Sequence, residues 1–330
     1  MAAAYKIGIE IETLLEPRRI AAENLVEFGR GLEEKFLDMP NRIHGIHCDL
    51  DELEYHGPNT LTEWSITEDC SIDEDNSQQF AIEFTSPIMF FSNPAWKSSV
   101  VSIFDCLRIN TFLQVNHSCG FHVHISKKEA SWTREDLVRI SRAIIYFEPS
   151  LELIVPAHRR GSIWAKNNRC DNHRFEGKSD RQAMDLIDGC KDNEELAQLM
   201  NGGNDRNFSW NFTNLLGGDQ NTIEFRRGPG ITNENDAFRW VEFVVRFVNS
   251  ARNTGSRYGL SAFRRDAIGL QEFLRAHVIP NSQAGLLNPL FDGKEGYLEP
   301  RKIGELTASQ RARVADKAEE AYRKKHMWIA

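Results

Sequence analysis

Four short stretches place chemistry-bearing side chains two residues apart or against an apolar face. Glu10 and Glu12 stand in Gly8-Ile-Glu-Ile-Glu12, and Glu83 in residues 80–85. His122 and His124 stand in Gly120-Phe-His-Val-His-Ile-Ser126, and Glu224 and Arg226 in residues 221–227. In an extended chain, residues two apart project from the same face. Each stretch therefore turns its apolar residues one way and its acids, imidazoles or guanidinium the other. A lone Glu-x-Glu or Glu-x-Arg is ordinary on the wet face of an antiparallel sheet. The four together would form one concave polar surface if the strands are neighbours. Carboxylate oxygens suit hard divalent ions, which bridge phosphate oxygens. An imidazole completes such a site or donates to a phosphate. Arg226 cannot ligate a cation, but its planar fork fits a phosphoryl or carboxylate group. Acids mixed with an arginine point to a bound anion plus metals, and so to phosphoryl transfer.

These side chains need strands and helices to hold them. Ile7, Ile9 and Ile11 alternate with Gly8, Glu10 and Glu12 over residues 5–15, a strand with one buried face. Residues 18–37 carry Ile20, Leu25, Phe28, Leu32 and Phe36 at helical spacing. Residues 38–78 are polar and acidic and read as a loop-rich insertion, with one short strand near residues 64–67. Its acidic run over residues 49–54 has no EF-hand spacing and reads as solvated. Asn93-Pro94 opens a helix to about residue 112. Thr133, with Asp136 three residues on, opens another to about residue 154. Residues 208–216 and 221–227 read as two strands around the Gly217-Gly218-Asp219 turn. Helices are expected at 234–252, 266–278 and 307–326, with helical pieces at 179–200. Trp96, Trp132, Trp210, Trp240 and Trp328 read as packing residues. Isolated strands and helices without a regular βαβ rhythm favour an α+β fold around a largely antiparallel sheet. Residues 1–255 form the expected catalytic domain, and residues 256–330 a helical C-terminal extension packed on it. The charged helix at 307–326, which includes Arg313 and Lys317, reads as a surface helix.

The bulk numbers narrow the classes. The chain has 330 residues, 41% hydrophobic and 27% charged, with a formal charge of −8. An acidic balance speaks against a nucleic-acid surface. No apolar run reaches the ~18 residues of a membrane span. The opening residues lead straight into a strand without a signal-peptide pattern. Cys48, Cys70, Cys106, Cys119, Cys170 and Cys190 are scattered without a Cys-x-x-Cys pair. Reduced thiols and a cytoplasmic location are expected, and Cys119 reads as a packing residue. No Gly-rich phosphate loop is present, so any nucleotide must be held otherwise.

The ordered blocks Gly8-Ile-Glu-Ile-Glu12, Trp64-Ser-Ile-Thr-Glu-Asp-Cys-Ser-Ile72, Ile82-Glu-Phe-Thr-Ser-Pro87, Val115-Asn-His-Ser-Cys-Gly-Phe-His-Val-His-Ile125 and Thr222-Ile-Glu-Phe-Arg-Arg-Gly-Pro-Gly230 resemble those of the amidoligase family. That family belongs with the carboxylate–amine ligases, alongside glutamine synthetase and glutamate–cysteine ligase. The resemblance spans about residues 5–250. It implies a glutamine-synthetase-like antiparallel sheet flanked by helices, two or more Mg²⁺ or Mn²⁺ ions, and ATP bound without a P-loop. It implies metal ligation by Glu10, Glu12, Glu83, His122 and Glu224, with Asp69 a weaker match. It implies contacts to nucleotide phosphates from Arg226, His122, His124, Arg159 and Arg160. Arg226 and Glu83 would act on the reacting groups, and Asn211 and Asn214 would touch substrate. The implied activity is amide-bond formation through an acyl phosphate, with small-molecule or peptide carboxylates and amines as substrates. Two other readings fit the residues: a metal-dependent hydrolase using the His/Glu cluster, and a non-catalytic nucleotide-binding protein of the same fold.

Overall fold

The computed structural model describes residues 5–50, 62–217 and 221–326. The fold is α+β: an open, mostly antiparallel sheet with helices packed on its apolar face. Its strands are β1 (Tyr5–Pro17), β2 (Ile46–Cys48), β3 (Trp64–Glu68), β4 (Phe80–Thr85), β5 (Met89–Phe90), β6 (Thr111–Gln114), β7 (Gly120–Lys127), β8 (Trp210–Asn211) and β9 (Ile223–Pro229). Their order is β2-β3-β4-β1-β7-β9-β8, with β5 and β6 also pairing with β1. Among these strands β2 and β3 pair in parallel and the other pairings are antiparallel. The helices are α1 (Leu25–Leu37), α2 (Ala95–Asn110), α3 (Arg134–Ile154), α4 (Asp180–Gly189), α5 (Asn193–Met200), α6 (Glu234–Thr254), α7 (Arg257–Leu260), α8 (Ala267–Arg275), α9 (Asn288–Phe291) and α10 (Ala308–His326).

β1 is the centre because its alternation gives it a buried face along its whole length. Ile7, Ile9 and Ile11 join Val123 and Ile125 of β7 and Ile223 and Phe225 of β9 in one core. Val100 and Phe104 of α2, Ile140 and Ile144 of α3, and Val244 and Phe247 of α6 close over them. Each such side chain contributes about 1.5–3 kcal/mol on burial, so the sheet face is rigidly backed. α3 starts where its capping box predicts: the Thr133 hydroxyl accepts from the Asp136 N–H, and the Asp136 carboxylate accepts from the Thr133 N–H. Arg227 of β9 reaches the α3 side, where it pairs with Glu148 (2.9 Å) and Glu152.

Several expectations need correction. The first helix starts at Leu25, not residue 18, because the Asn24 side chain caps it by accepting from the Glu27 N–H. Within residues 38–78 the expected short strand is β3, and the segment adds β2 beside it at the sheet edge. Residues 208–216 hold only the two-residue β8, followed by a 3-10 turn at Thr213–Leu215. There the Asn211 side chain accepts from the Thr213 N–H and turns the chain away from the sheet. Trp96, Trp132, Trp210 and Trp240 are buried. Trp328, residues 51–54 of the acidic run, and Gly218 and Asp219 of the turn lie outside the described residues. Among the described residues, no helix is long and apolar enough to cross a membrane.

Candidate active site

The sheet order makes β4, β1, β7, β9 and β8 neighbours, and their registers bring the polar residues face to face. Glu10 lies opposite His122, Gly8 opposite His124, and Glu12 opposite Glu83. His124 and Asn211 both lie opposite Glu224. His122 Nδ1 is 2.7 Å from Glu10 Oε2, and its Nε2 is 3.3 Å from Glu12 Oε1. His124 Nε2 is 2.9 Å from Glu10 Oε1. Both imidazoles also approach Glu224 Oε1, at 3.7 and 3.8 Å. This face is not wet. Glu12, His122, Glu224 and Arg226 are each 1–2% exposed.

Burial of so many charges sets their protonation. Burial alone would raise Glu10, but His124 and His122 hold it well below the usual carboxylate range. Burial would likewise raise Glu224, and the neighbouring Arg226 charge brings it to about 2. Burial opposes the charge on His124, yet Glu224 and Glu10 raise it above its ordinary value. Glu83 is the exception. Burial, then Glu10, Asp69 and Glu12, push it well above the ordinary carboxylate value. Like charges crowd it without a sufficient cation.

The cationic side of the site comes from β9 and from the turn after α3. Arg226 pairs with Glu224, and its Nε donates to the Trp164 carbonyl (3.3 Å). Arg159 lies buried beneath, donating to the Cys119 carbonyl (3.3 Å) and the Arg226 carbonyl (2.9 Å). Burial lowers it to about 10 against the pull of Glu12. Its Nε has no hydrogen-bond partner among the described residues. Gly120 leaves room for three side-chain ends at this junction. A Cβ there would sit 2.8 Å from His122 Nε2 and 3.0 Å from both Arg159 Nη2 and Glu12 Oε2.

A second layer orients the first. Asn211 donates to Glu224 Oε2 (2.8 Å) and is itself held by Asn201. Asn214 donates to the Thr222 hydroxyl (3.2 Å), which lies 3.3 Å from His124 Nδ1. Arg160 is not gathered here. Its guanidinium donates to the Val155 and Leu153 carbonyls and so finishes α3. Cys119 is buried with its thiol pushed up to about 12, as fits a packing residue.

The donor set fits divalent cations. Glu10, His124 and Glu224 offer ligand atoms within 4.8 Å of one another, as do Glu10, Glu83 and His122, and also Glu12, Asp69 and Glu83. Oxygen-rich sets of this kind suit hard ions. Glu10, Glu12, Asp69, Glu83 and Glu224 converge, while the permanent cations among them are Arg159, Arg226 and Lys317. The negative excess is what a divalent ion would neutralise, and it accounts for the displaced Glu83.

Lys317 was not expected here. The helix read as a charged surface element places Lys317 Nζ 2.6 Å from both oxygens of Asp69 and 2.8 Å from Ser71 Oγ. That ammonium overcomes the effect of burial and holds Asp69 well below the carboxylate range. Only the Trp64–Ile72 block hinted at Asp69, and no local signal marked its partner.

No curated protein matches the chain. The family model described as "Putative amidoligase enzyme" matches residues 3–248, the stretch that carries β1 through β9 and every first-layer group except Lys317, and the chain therefore belongs to the amidoligase family.

Proposed function

We propose that this chain is an ATP-dependent carboxylate–amine ligase that works through an acyl phosphate on a glutamine-synthetase-like sheet. The observation that carries the proposal is the convergence of five carboxylates and two imidazoles with Arg226 at one largely buried face of the sheet, with Arg159 beneath it. Glu10, Glu12, Glu83, His122 and Glu224 would hold Mg²⁺ or Mn²⁺, which when bound neutralises charge on the nucleotide phosphates. Arg226, His122 and His124 would face the transferring group, with Arg159 adding positive charge from beneath. Arg160 is left out, because its donors are committed to α3.

In the proposed reaction a substrate carboxylate oxygen attacks the γ-phosphorus and ADP leaves. The amine nitrogen then attacks the acyl carbon, phosphate leaves, and the amine proton passes to a base. Arg226 is suited to the first step because Glu224 and the Trp164 carbonyl fix its plane before substrate arrives. Glu83, opposite Glu12 on the neighbouring strand, would accept the amine proton. Burial of Glu12, His122, Glu224 and Arg226 would limit water at the floor of the face, where it would otherwise hydrolyse an acyl phosphate.

The test is release of ADP and phosphate with ATP and Mg²⁺ across pools of small-molecule and peptide carboxylates and amines. Release that needs both substrates and is lost in Glu10→Gln supports the ligase. Saturable ATP binding without turnover in any pool favours a nucleotide-binding role. Failure to bind ATP overturns the proposal and favours a metal-dependent hydrolase.

A further inference from the structure

We propose that Asp69, Ser71 and Trp164 form a subsite for a primary alkylammonium group, and that Lys317 of α10 occupies it in cis. As an assignment of amine substrate class it rests on the ligase reading above; as a binding site it stands on its own geometry. The Lys317 ammonium touches both Asp69 oxygens and the Ser71 hydroxyl, and lies 5.4 Å from the centre of the Trp164 ring. An ammonium with two acid oxygens, a hydroxyl and an aromatic face has the surroundings of a recognised amine rather than of a surface lysine. The subsite adjoins the reacting face, since Asp69 shares a ligand group with Glu12 and Glu83.

The manner in which α10 docks supports an exchangeable occupant. A helix that belongs to a core buries an apolar stripe. Among residues 308–317 and 319 of α10, Lys317 alone is buried, and the others are exposed or half-buried. Arg313, one turn earlier, pairs with Asp73 (2.7 Å), donates to the Ser71 carbonyl (2.8 Å), and lies 5.9 Å from the Trp164 ring. Residues four apart share a helix face, so one face of α10 inserts two cations around one tryptophan. A substrate ammonium on an aliphatic stem, such as a lysine side chain or an alkyl diamine, makes the same contacts once α10 withdraws. The occupied state lowers apparent amine affinity by the fraction of molecules that are open.

The test is calorimetric binding of n-butylammonium, which reproduces the four-carbon stem, to the full-length wild type, Lys317→Ala and Lys317→Ala/Asp69→Asn. The proposal expects Lys317→Ala to bind about tenfold or more tightly than wild type, and the Asp69→Asn change to abolish the gain. Ammonium chloride should bind Lys317→Ala more weakly than n-butylammonium. No gain in Lys317→Ala, or equal binding of ammonium, overturns the subsite. A second measurement needs no variant: n-butylammonium should speed tryptic cleavage within α10 of the wild type, and tetramethylammonium at equal ionic strength should not. Equal rates would also overturn it. ATP turnover without n-butylammonium binding removes the subsite and leaves the ligase; binding without ATP turnover removes the ligase and leaves the subsite.

Discussion

Replacing Glu148 by Gln should stabilise the protein at high pH and leave it nearly unchanged at low pH. Glu148 is buried in α3 beneath β9, where Oε1 accepts from Arg227 Nη1 (2.9 Å) and Asn167 Nδ2 (2.6 Å). Oε2 has no partner among the described residues. Burial raises the carboxyl from 4.5 to about 7, and the Arg227 charge offsets only part of that rise. The native state therefore holds the Glu148 proton more tightly than the unfolded chain does. Its contribution is full below about pH 4.5 and is lost as pH rises to about 7. At about 1.4 kcal/mol per pH unit, the loss over that interval is about 3 kcal/mol. A glutamine oxygen keeps both accepted bonds, and its amide takes the place of a carboxyl O–H that also lacks an acceptor. Near pH 5 the variant should lie within about 1 kcal/mol of the wild type. Near pH 8 it should gain about 3 kcal/mol relative to that difference. Urea denaturation at the two pH values reads both stabilities. Glu83 also has a raised carboxyl, but it is common to both proteins and cancels. A difference that stays constant between the two pH values refutes the reasoning.

Three other outcomes follow from the same geometry. Gly120→Ala should cost function more than stability, because its Cβ meets the movable ends of His122, Arg159 and Glu12; Mn²⁺ affinity should fall while the melting temperature changes little. Gly228→Ala should do the reverse, since its Cβ would lie 2.5 Å from the Phe121 carbonyl oxygen, a backbone atom that cannot swing aside; thermal denaturation should show the loss. Asn211→Ala removes the donor that holds Glu224 and should weaken Mn²⁺ binding about 10- to 100-fold, read by calorimetry, with secondary structure unchanged by circular dichroism.

The sheet that carries the site was legible because its strands announce themselves by period-two alternation. Ile7, Ile9 and Ile11 told which face was core, and so fixed where Glu10 and Glu12 point. His122 with His124, and Glu224 with Arg226, were legible for the same reason, although their adjacency became visible only in the strand registers. Short strands escaped: β2 and β5 have two or three residues, too few to show a period, and β8 is shorter than the strand expected over residues 208–216. Arg159 and Arg160 are indistinguishable as sequence, yet one lies beneath the site and the other caps a helix. Lys317 was illegible because its partner Asp69 is 248 residues away and its helix has the composition of a solvated surface. Local pattern reports which way a side chain faces, not which distant charge it meets.

The central claim is that the carboxylate face binds divalent ions through Glu10 and its neighbours. It is tested most directly by counting bound Mn²⁺ by electron paramagnetic resonance in the wild type and in Glu10→Gln at neutral pH. Glu10 contributes to two of the three ligand groups. The wild type should bind at least one Mn²⁺ tightly, and Glu10→Gln should bind it about 10-fold or more weakly while remaining folded. Wild-type protein that leaves Mn²⁺ free, or binds it as well without Glu10, would contradict the account.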